Sequence, residues 1–417
     1  MRGKLFYLLL VVFFTGGLLF VAGCEEPVEE EPELDTIKIG VLTDQSGVLA
    51  SYGEQQTRGL ELGFEYVTDG TMEVLGADIE LIFEDDGSDP SMGLTAARRL
   101  IEEEEVDILQ GSPNTAVALA VMDEAAAHEV PFVVDPAAGD SITGEEWNRY
   151  TFRTGSSTSQ DAAAGALYAV EYLAEDLDKD PSELVFANLA PDYAWGYESA
   201  NAWRHQIEET GAEVLEDVLP PHDEVDFAPY LTTVLEKEPH GLVVSWSGDG
   251  AVRLFDQIDD FGLYEEMLVT GGVGDMHSLR AMGDDAVGFT GMMKYNPRLP
   301  DNEVNDWFWD RHLEEYGEDP DLFTSGGFAA ASAIVTAIEK AESTDTEALI
   351  ETMRGMSFET PKSEMTFREE DHQALQEMYI VELVEDEELD YPVPELIETI
   401  SPEDSAPPVM VPEDAER

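Results

Sequence analysis

The chain has 417 residues, 43% of them hydrophobic, which is enough for two α/β lobes with buried cores. Its 92 acidic residues far outnumber its 21 basic residues and give a formal net charge of −71. A field of this sign repels nucleic acid and anionic membrane surfaces, so neither is expected as a partner.

The acidic residues are interleaved with regular apolar periodicity, which is typical of the solvated outer faces of a folded protein. Only 7 of the 21 basic residues are lysine. This composition is expected where concentrated salt screens self-repulsion over about 3 Å at 1 M. It predicts a halophilic source, and an ordinary acidic extracytoplasmic protein is the alternative.

The N-terminus has the order of a secretory signal. Arg2 and Lys4 precede an almost wholly apolar run from Leu5 to Phe20, and small residues then lead to Cys24. This is the only cysteine, so it cannot form an intramolecular disulfide. The segment resembles the lipobox of bacterial lipoproteins, in which this cysteine carries the lipid. A transmembrane anchor with an incidental cysteine is the alternative.

We therefore predict a lipoprotein signal peptide over residues 1–23 and an acidic, solvated tether over residues 24–35. Beyond the tether, short β-rich runs alternate with helical periods. The first series has predicted strands at 36–42, 78–83, 106–109 and 131–134 and predicted helices at 53–67, 90–103 and 115–129. Such alternation predicts βαβ units around a parallel sheet, with ligand-binding loops at the carboxyl ends of the strands.

A second series of the same kind follows Tyr150–Thr154. It has predicted strands at 183–189, 213–219, 241–245 and 267–270 and predicted helices at 162–173, 196–209, 227–235 and 251–261. The fold class is therefore α/β, with two Rossmann-like lobes built on parallel sheets.

The remaining chain is mixed, with predicted helices near 304–316, 326–341 and 346–353 and strands near 365–367 and 378–383. It is expected to cross between the lobes and complete both. Residues 36–154 with 291–360 form the first predicted lobe, and residues 155–290 with 361–388 form the second. Residues 389–417 are predicted to be a loosely ordered acidic tail.

Motifs of common enzyme classes are absent from the sequence. It has no Gly-x-Ser-x-Gly elbow, no His-Glu-x-x-His, no P-loop and no Gly-x-Gly-x-x-Gly after the first strand. Its seven histidines are scattered. We therefore expect no catalytic residues, no cofactor and no metal.

Several short stretches occur in the order and spacing of a known family. They are Ile37-Lys-Ile-Gly-Val-Leu-Thr-Asp-Gln-Ser-Gly47, Ser51-Tyr-Gly53, Gly111-Ser-Pro-Asn-Thr-Ala-Val117, Pro131-Phe-Val-Val-Asp-Pro-Ala-Ala138, Tyr150-Thr-Phe-Arg-Thr154, Asp192-Tyr-Ala-Trp-Gly196, Phe261-Gly-Leu263, Gly326-Gly-Phe-Ala-Ala330 and Asp371-His-Gln373. From Thr36 to Leu383 the chain resembles the Leu/Ile/Val-binding group of type I periplasmic binding proteins.

The resemblance implies two lobes joined by three hinge crossovers, which close on a small solute in the cleft between them. It implies a monomeric binding protein that delivers an amino acid, or a related amide or carboxylate, to the membrane subunits of an ABC importer. A ligand-sensing module that serves a separate receptor is the alternative.

The resemblance also implies the positions of the ligand-binding residues. They are Tyr52, Asn114, Thr115, Ala116, Ala137, Ala138 and Gly139 from the first lobe and Tyr193, Trp195, Trp246 and Ser247 from the second. Thr115 and Ala116 open a predicted helix, whose free N–H groups and hydroxyl suit a carboxylate. An ordinary helix cap is the other interpretation of this segment.

One departure from the family concerns the solute's ammonium group. The family places a glutamate after the strand that ends here at Thr270, whereas this chain has Gly271. An ammonium group buried without a counter-charge is costly. Either Asp249 or Asp275 takes the role, or the solute has no ammonium group. An aliphatic amino acid, an amide such as urea and an organic acid all remain open.

Overall fold

The computed structural model describes residues 36–247, 250–272, 275–276, 279–280, 287–386, 389, 391–413 and 415. The predicted signal peptide and tether, with Cys24, lie outside these residues, as does Asp249.

The strands of the described residues agree closely with the two predicted series. They are β1 (Thr36–Thr43), β2 (Glu73–Val74), β3 (Ala77–Asp85), β4 (Ile108–Gln110), β5 (Phe132–Val134), β6 (Thr151–Arg153), β7 (Val185–Leu189), β8 (Glu213–Val214), β9 (Gly241–Val244), β10 (Leu268–Gly271), β11 (Thr290–Met293), β12 (Ser357–Glu359), β13 (Glu364–Phe367), β14 (Ala374–Leu375), β15 (Met378–Val384) and β16 (Val393–Ile400).

The helices alternate with these strands as predicted. They are α1 (Ala50–Val67), α2 (Pro90–Glu102), α3 (Thr115–Ala127), α4 (Thr158–Asp176), α5 (Ala194–Glu209), α6 (Ala228–Lys237), α7 (Gly250–Asp260), α8 (Leu263–Glu266), α9 (Glu303–Tyr316), α10 (Leu322–Ala341) and α11 (Thr346–Met353). The described residues also form two 3₁₀ turns, Asp140–Thr143 and Pro181–Glu183.

The first lobe is built on a sheet of order β2-β3-β1-β4-β5-β6, which is parallel apart from β2. Ile37, Ile39 and Val41 of β1 are fully buried, as expected for a central parallel strand covered on both faces. Strands β3 and β4 flank β1 on opposite sides. The chain connections on the two sides of β1 therefore run in opposite directions from its carboxyl end. This point of a doubly wound sheet is where ligands bind.

The second lobe is built on a parallel sheet of order β10-β9-β7-β8. Its strand β8 stops at Val214, short of the predicted end at Leu219. Beyond it, Val218 makes only an isolated bridge to Leu189. The predicted two-lobe α/β fold is thus confirmed.

Helix α10 is the one described helix that is long and apolar enough to span a membrane, and 78% of its most apolar window is buried inside the protein. It packs closely on α1 because glycines remove side chains from the contact. A Cβ at Gly59 would lie 1.9 Å from the carbonyl oxygen of Thr324, and a Cβ at Gly327 would lie 2.2 Å from that of Gln56. This helix is therefore part of the core of the first lobe.

An antiparallel sheet of order β11-β15-β16 and a smaller one of order β12-β13-β14 complete the fold. Met365, Phe367 and Ala374 of the smaller sheet share a hydrophobic cluster with Ile37 of β1. This contact differs from the predicted assignment of residues 361–388 to the second lobe, since at least 365–374 pack in the first. The sequence of a short strand does not indicate which of two cores it will join. The other predicted lobe boundaries remain predictions.

The C-terminal segment also differs from the predicted loose tail. Strand β16 pairs with β15 along its whole length. Beyond it, the fully buried Ser405 donates from Oγ to the carbonyl oxygen of Gln376 at 3.3 Å, and Arg368 donates from Nη1 to that of Pro407 at 2.7 Å. Because β16 pairs through its backbone and exposes most of its side chains, no apolar alternation marked it in the sequence.

Candidate ligand-binding cleft

A cleft lies between the carboxyl ends of the two parallel sheets. It encloses about 930 Å³ of space between atoms, including the part that is open to solvent. The loops after β1, β4 and β5 line it from the first lobe, and the loops after β7, β9 and β10 line it from the second. Predicted site residues that line it are Tyr52, Thr115, Ala138, Tyr193, Trp195, Trp246, Ser247 and Asp275.

The start of α3 presents a hydroxyl to the cleft. Asn114 is the helix cap, and its side-chain oxygen accepts hydrogen bonds from Ala116 N at 2.9 Å and Val117 N at 3.3 Å. The amide of Ala116 is therefore already satisfied, and neither Asn114 nor Ala116 lines the cleft. Thr115 does line it, and its Oγ1 accepts a hydrogen bond from Gly139 N at 3.2 Å.

The loop after β5 contributes less than expected. Ala138 lines the cleft, whereas Ala137 and Gly139 do not. A Cβ at Gly139 would lie 2.4 Å from Cγ2 of Thr115 and 3.0 Å from Oε2 of Glu198. This backbone therefore has no room for a side chain at Gly139, which supports the wall of the cleft from behind.

Aromatic rings form the broad faces of the cleft. In the first lobe, Tyr52 stacks on Phe323 with ring centroids 3.8 Å apart. Phe323 also lines the cleft, and sequence reasoning missed it because the start of α10 was predicted four residues too late. In the second lobe, Trp195 and Trp246 line the cleft, and Trp246 also packs edge-on against Phe227 at 4.9 Å.

A hydrogen-bonded group around Ser247 positions Tyr193, another aromatic residue of the second lobe that lines the cleft. The hydroxyl of Tyr193 lies 3.0 Å from Ser247 Oγ, which is 3.1 Å from Nε2 of His222. The Tyr193 and His222 rings stack with centroids 4.4 Å apart. Burial raises the pKa of Tyr193 and lowers that of His222, so both are neutral at pH 7. The sequence around His222 contains no motif that would predict its part in this hydrogen-bonded group.

Charged groups enter the cleft from three places. Asp275 is buried and lines it after β10, while Asp249 lies outside the described residues. Lys294 and Asp161 also line it, joined by a salt bridge of 2.8 Å between Nζ and Oδ2. Sequence reasoning missed this pair because, among 92 acidic residues, no single carboxylate stands out.

The backbone at the end of β10 leaves no room for a side chain at Gly271, where the family resemblance places a glutamate. Gly271 has φ +144°, and a Cβ there would lie 2.4 Å from the carbonyl oxygen of Val244 on the neighbouring strand. A side chain at this position would therefore collide with the backbone. Any counter-charge for a solute's ammonium group has to come from elsewhere in the cleft.

A model of the periplasmic binding protein family matches residues 36–388. The chain belongs to this family. Among its relatives, Leu/Ile/Val-binding protein homolog 6 of Brucella melitensis is 25% identical over 357 residues, which cover 84% of this chain and 88% of the relative.

Solved structures give the same result for the fold of this periplasmic binding protein. An ABC-type branched-chain amino acid transporter from Rhodopseudomonas palustris superposes with a TM-score of 0.75 at 34% identity, covering 90% of this chain and all of the other. A solute-binding protein of an ABC transporter from the same species, in complex with 3,4-dihydroxybenzoic acid, gives 0.79 at 25% identity, covering 88% and 98%. The resemblance seen in the sequence is thus confirmed.

Proposed function

We propose that this periplasmic binding protein is the solute-binding lipoprotein of an ABC importer. Its two lobes close on a small, amino-acid-like solute of the branched-chain type and deliver it unchanged to the membrane permease. The observation that carries the proposal is the cleft, which is lined from both lobes by loops at the carboxyl ends of two parallel sheets. The relatives named for Leu/Ile/Val binding and branched-chain amino acid transport support it.

The cleft offers each part of such a solute a suitable partner. The hydroxyl of Thr115 can donate to a carboxylate, and the rings of Tyr52 and Trp195 can enclose an aliphatic body. We assign the ammonium group to Asp275, which is 6% exposed and lines the cleft. A buried ammonium group without such a carboxylate would cost several kcal/mol.

The proposed attachment of the protein to the membrane is argued from the sequence alone. Cys24 would carry the lipid, and the acidic stretch after it would hold the folded part away from the membrane. An anchored protein stays close to its permease, which raises the local concentration of loaded protein.

A carboxylic acid without an ammonium group is the second candidate solute. The aromatic faces of the cleft favour it, and the related structure that holds 3,4-dihydroxybenzoic acid supports it. Under this alternative, Asp275 would have no cationic partner on the solute.

A thermal-shift screen in concentrated salt tests both candidates. Its compounds are leucine, isoleucine, valine, urea, 4-methylpentanoate (leucine without its ammonium group) and 3,4-dihydroxybenzoate. A true solute at one hundred times its dissociation constant stabilises the protein by about 2.7 kcal/mol. If Asp275 binds an ammonium group, Asp275→Asn should lose the leucine shift. The exposed control Asp256→Asn should keep it.

The outcomes separate the candidates. A shift with leucine and none with 4-methylpentanoate supports an amino acid, and the reverse supports an acid. No shift with any compound, or chemical conversion of a bound one, would count against the proposed function.

A further inference from the structure

Behind the cleft lies a smaller chamber of about 410 Å³, including its open part. It is lined by polar groups of Asp135, Lys294, Ser325, Lys362 and Gln376, and we call it the inner chamber. The cleft and the inner chamber share four lining residues, Pro136, Lys294, Leu322 and Phe323. The two spaces are therefore direct neighbours.

Two buried polar atoms in this wall lack a hydrogen-bonding partner among the described residues. They are Oδ2 of Asp135 and Oγ of Ser325, whose residues are 1% and 2% exposed. A Cβ at Gly326 would lie 2.6 Å from Asp135 Oδ2, so the carboxyl group needs a glycine beside it. Native proteins rarely leave buried polar atoms unsatisfied, and such atoms indicate a bound group.

The same chamber contains a buried ammonium group. Lys362 is 4% exposed and donates from Nζ to Gln376 Oε1 at 2.8 Å. Among the residues that the structure describes, no carboxylate lies within 4.0 Å of this Nζ. An ammonium group has three N–H donors, so Lys362 retains capacity for an anionic partner.

The protonation of Asp135 makes the chamber favourable to negative charge. Burial raises the pKa of Asp135 to about 8, against a smaller opposing effect of Lys294, so the group is largely a neutral acid at pH 7. It then presents an O–H donor beside the Ser325 hydroxyl. Burial lowers the pKa of Lys362 to about 7, so its ammonium form dominates below that pH. Since Lys294 is paired with Asp161, Lys362 then carries the uncompensated positive charge, which repels a cation and attracts a small anion toward the donors of Lys362, Ser325 and Asp135.

We propose that the inner chamber binds a small anion, which is either a free halide or a second carboxylate on a solute whose body lies in the cleft. The two sources share one chemistry, since both place negative charge between Lys362, Ser325 and protonated Asp135. Only the second source rests on the proposed function.

The free halide is tested with bromide. Crystals grown in sodium bromide should show anomalous scattering inside the inner chamber. The unfolding temperature should be higher in bromide than in gluconate at equal ionic strength, because gluconate is too large to enter. Lys362→Met should lose both signals, and Lys340→Met on the exposed side of α10 should keep them. Lys362 has no carboxylate partner among the described residues that Met would leave buried and unpaired, so Lys362→Met is expected to fold.

The solute's carboxylate is tested by calorimetric titration with glutarate and pentanoate, which share a chain of five carbons. Glutarate should bind more tightly to the native protein, and Lys362→Met should reduce its affinity about tenfold while leaving pentanoate unchanged. Bromide in the chamber supports the proposal even if neither acid binds, since that result would exclude only a solute's carboxylate as the source of the anion. The absence of bromide density, together with equal effects of Lys362→Met on both acids, would overturn the proposal.

Discussion

The carboxylate of Glu198 accepts two hydrogen bonds from Ser141. The Ser141 amide donates to Oε2 at 2.8 Å, and its hydroxyl donates to Oε1 at 2.8 Å. Glu198 lies on α5 of the second lobe, and Ser141 lies on the 3₁₀ turn after β5 of the first. This contact therefore joins the two lobes directly, and we expect it to stabilise the closed arrangement that the proposed function requires.

We expect Glu198→Gln to weaken the closed state. A neutral amide can still bond to the amide and hydroxyl of Ser141, but it lacks the negative charge that strengthens both bonds, and this loss should cost about 1 kcal/mol. Solute affinity should fall about fivefold, mainly through faster dissociation, which stopped-flow fluorescence measures. Glu209→Gln, an exposed change on the same helix, is the matched control. An unchanged dissociation rate in Glu198→Gln would show that Ser141 does not hold the lobes together.

Substitution of Trp195 should affect solute binding much more than stability. It is half-buried, lines the cleft and has a described ring contact only with Tyr193, at 6.0 Å. We expect Trp195→Ala to weaken solute binding about tenfold or more, because an aromatic wall is lost. Its free energy of unfolding without solute should change by less than about 1 kcal/mol. Trp309→Ala, which removes a half-buried indole on α9 outside the cleft, should leave binding intact, as measured by calorimetry. Equal binding losses in the two variants would reject this role for Trp195.

The inner chamber should give the protein an unusual dependence on pH. Since the pKa of Asp135 is raised to about 8 on folding, its contribution to stability is full below the unfolded value and is lost as the pH rises through 8. Burial lowers the pKa of Lys362 to about 7, so its contribution is full above the unfolded value and is lost as the pH falls through 7. Together the two groups predict a local minimum of stability near neutral pH.

Urea unfolding at constant salt measures this profile. Asp135→Asn should flatten the decline between about pH 4 and 8, and Lys362→Met should flatten the rise between about pH 7 and 10. A profile of the native protein that neither substitution alters would contradict the assignment.

Salt should stabilise the protein strongly. A net charge of −71 repels itself in the folded state, and this repulsion is screened over about 3 Å at 1 M salt but over about 30 Å at 0.01 M. We expect the unfolding temperature to rise with potassium chloride and with potassium gluconate alike, since screening depends on ionic strength. A flat titration in both salts would reject the halophilic interpretation.

Membrane attachment should depend on Cys24. If this residue accepts the lipid, Cys24→Ser should yield an unprocessed or released protein. Fractionation and metabolic labelling with a fatty acid measure the outcome. Unlabelled native protein that stays in the membrane fraction would support a transmembrane anchor instead.

The fold was predictable because its parallel strands are buried on both faces. β1 and β9 therefore appear as apolar runs between helical periods, and the order of motifs along the chain fixed the family. β16 was missed because it pairs through its backbone and carries little apolar patterning.

Site residues were predictable where their position after a strand was enough to place them in the cleft. Thr115 and Tyr193 follow strand ends, and parallel sheets bring such loops together. Asn114 and Ala116, which were also predicted as ligand contacts, do not line the cleft, because the same segment is a capped helix start and the cap uses the amide of Ala116. The Lys294–Asp161 pair depends on how distant segments pack at the hinge, which no local pattern encodes.

The return of the C-terminal segment beyond β16 affects how far the lobes can separate. Strand β16 pairs with β15, which packs in the core of the second lobe, whereas Pro407 is bonded to Arg368, next to the strands that pack on the first. If the lobes rotate as the proposed function requires, the residues between Ile400 and Pro407 must stretch or detach, which would uncover Ser405. Removing the chain after Ile400 would therefore allow a larger opening angle between the two lobes.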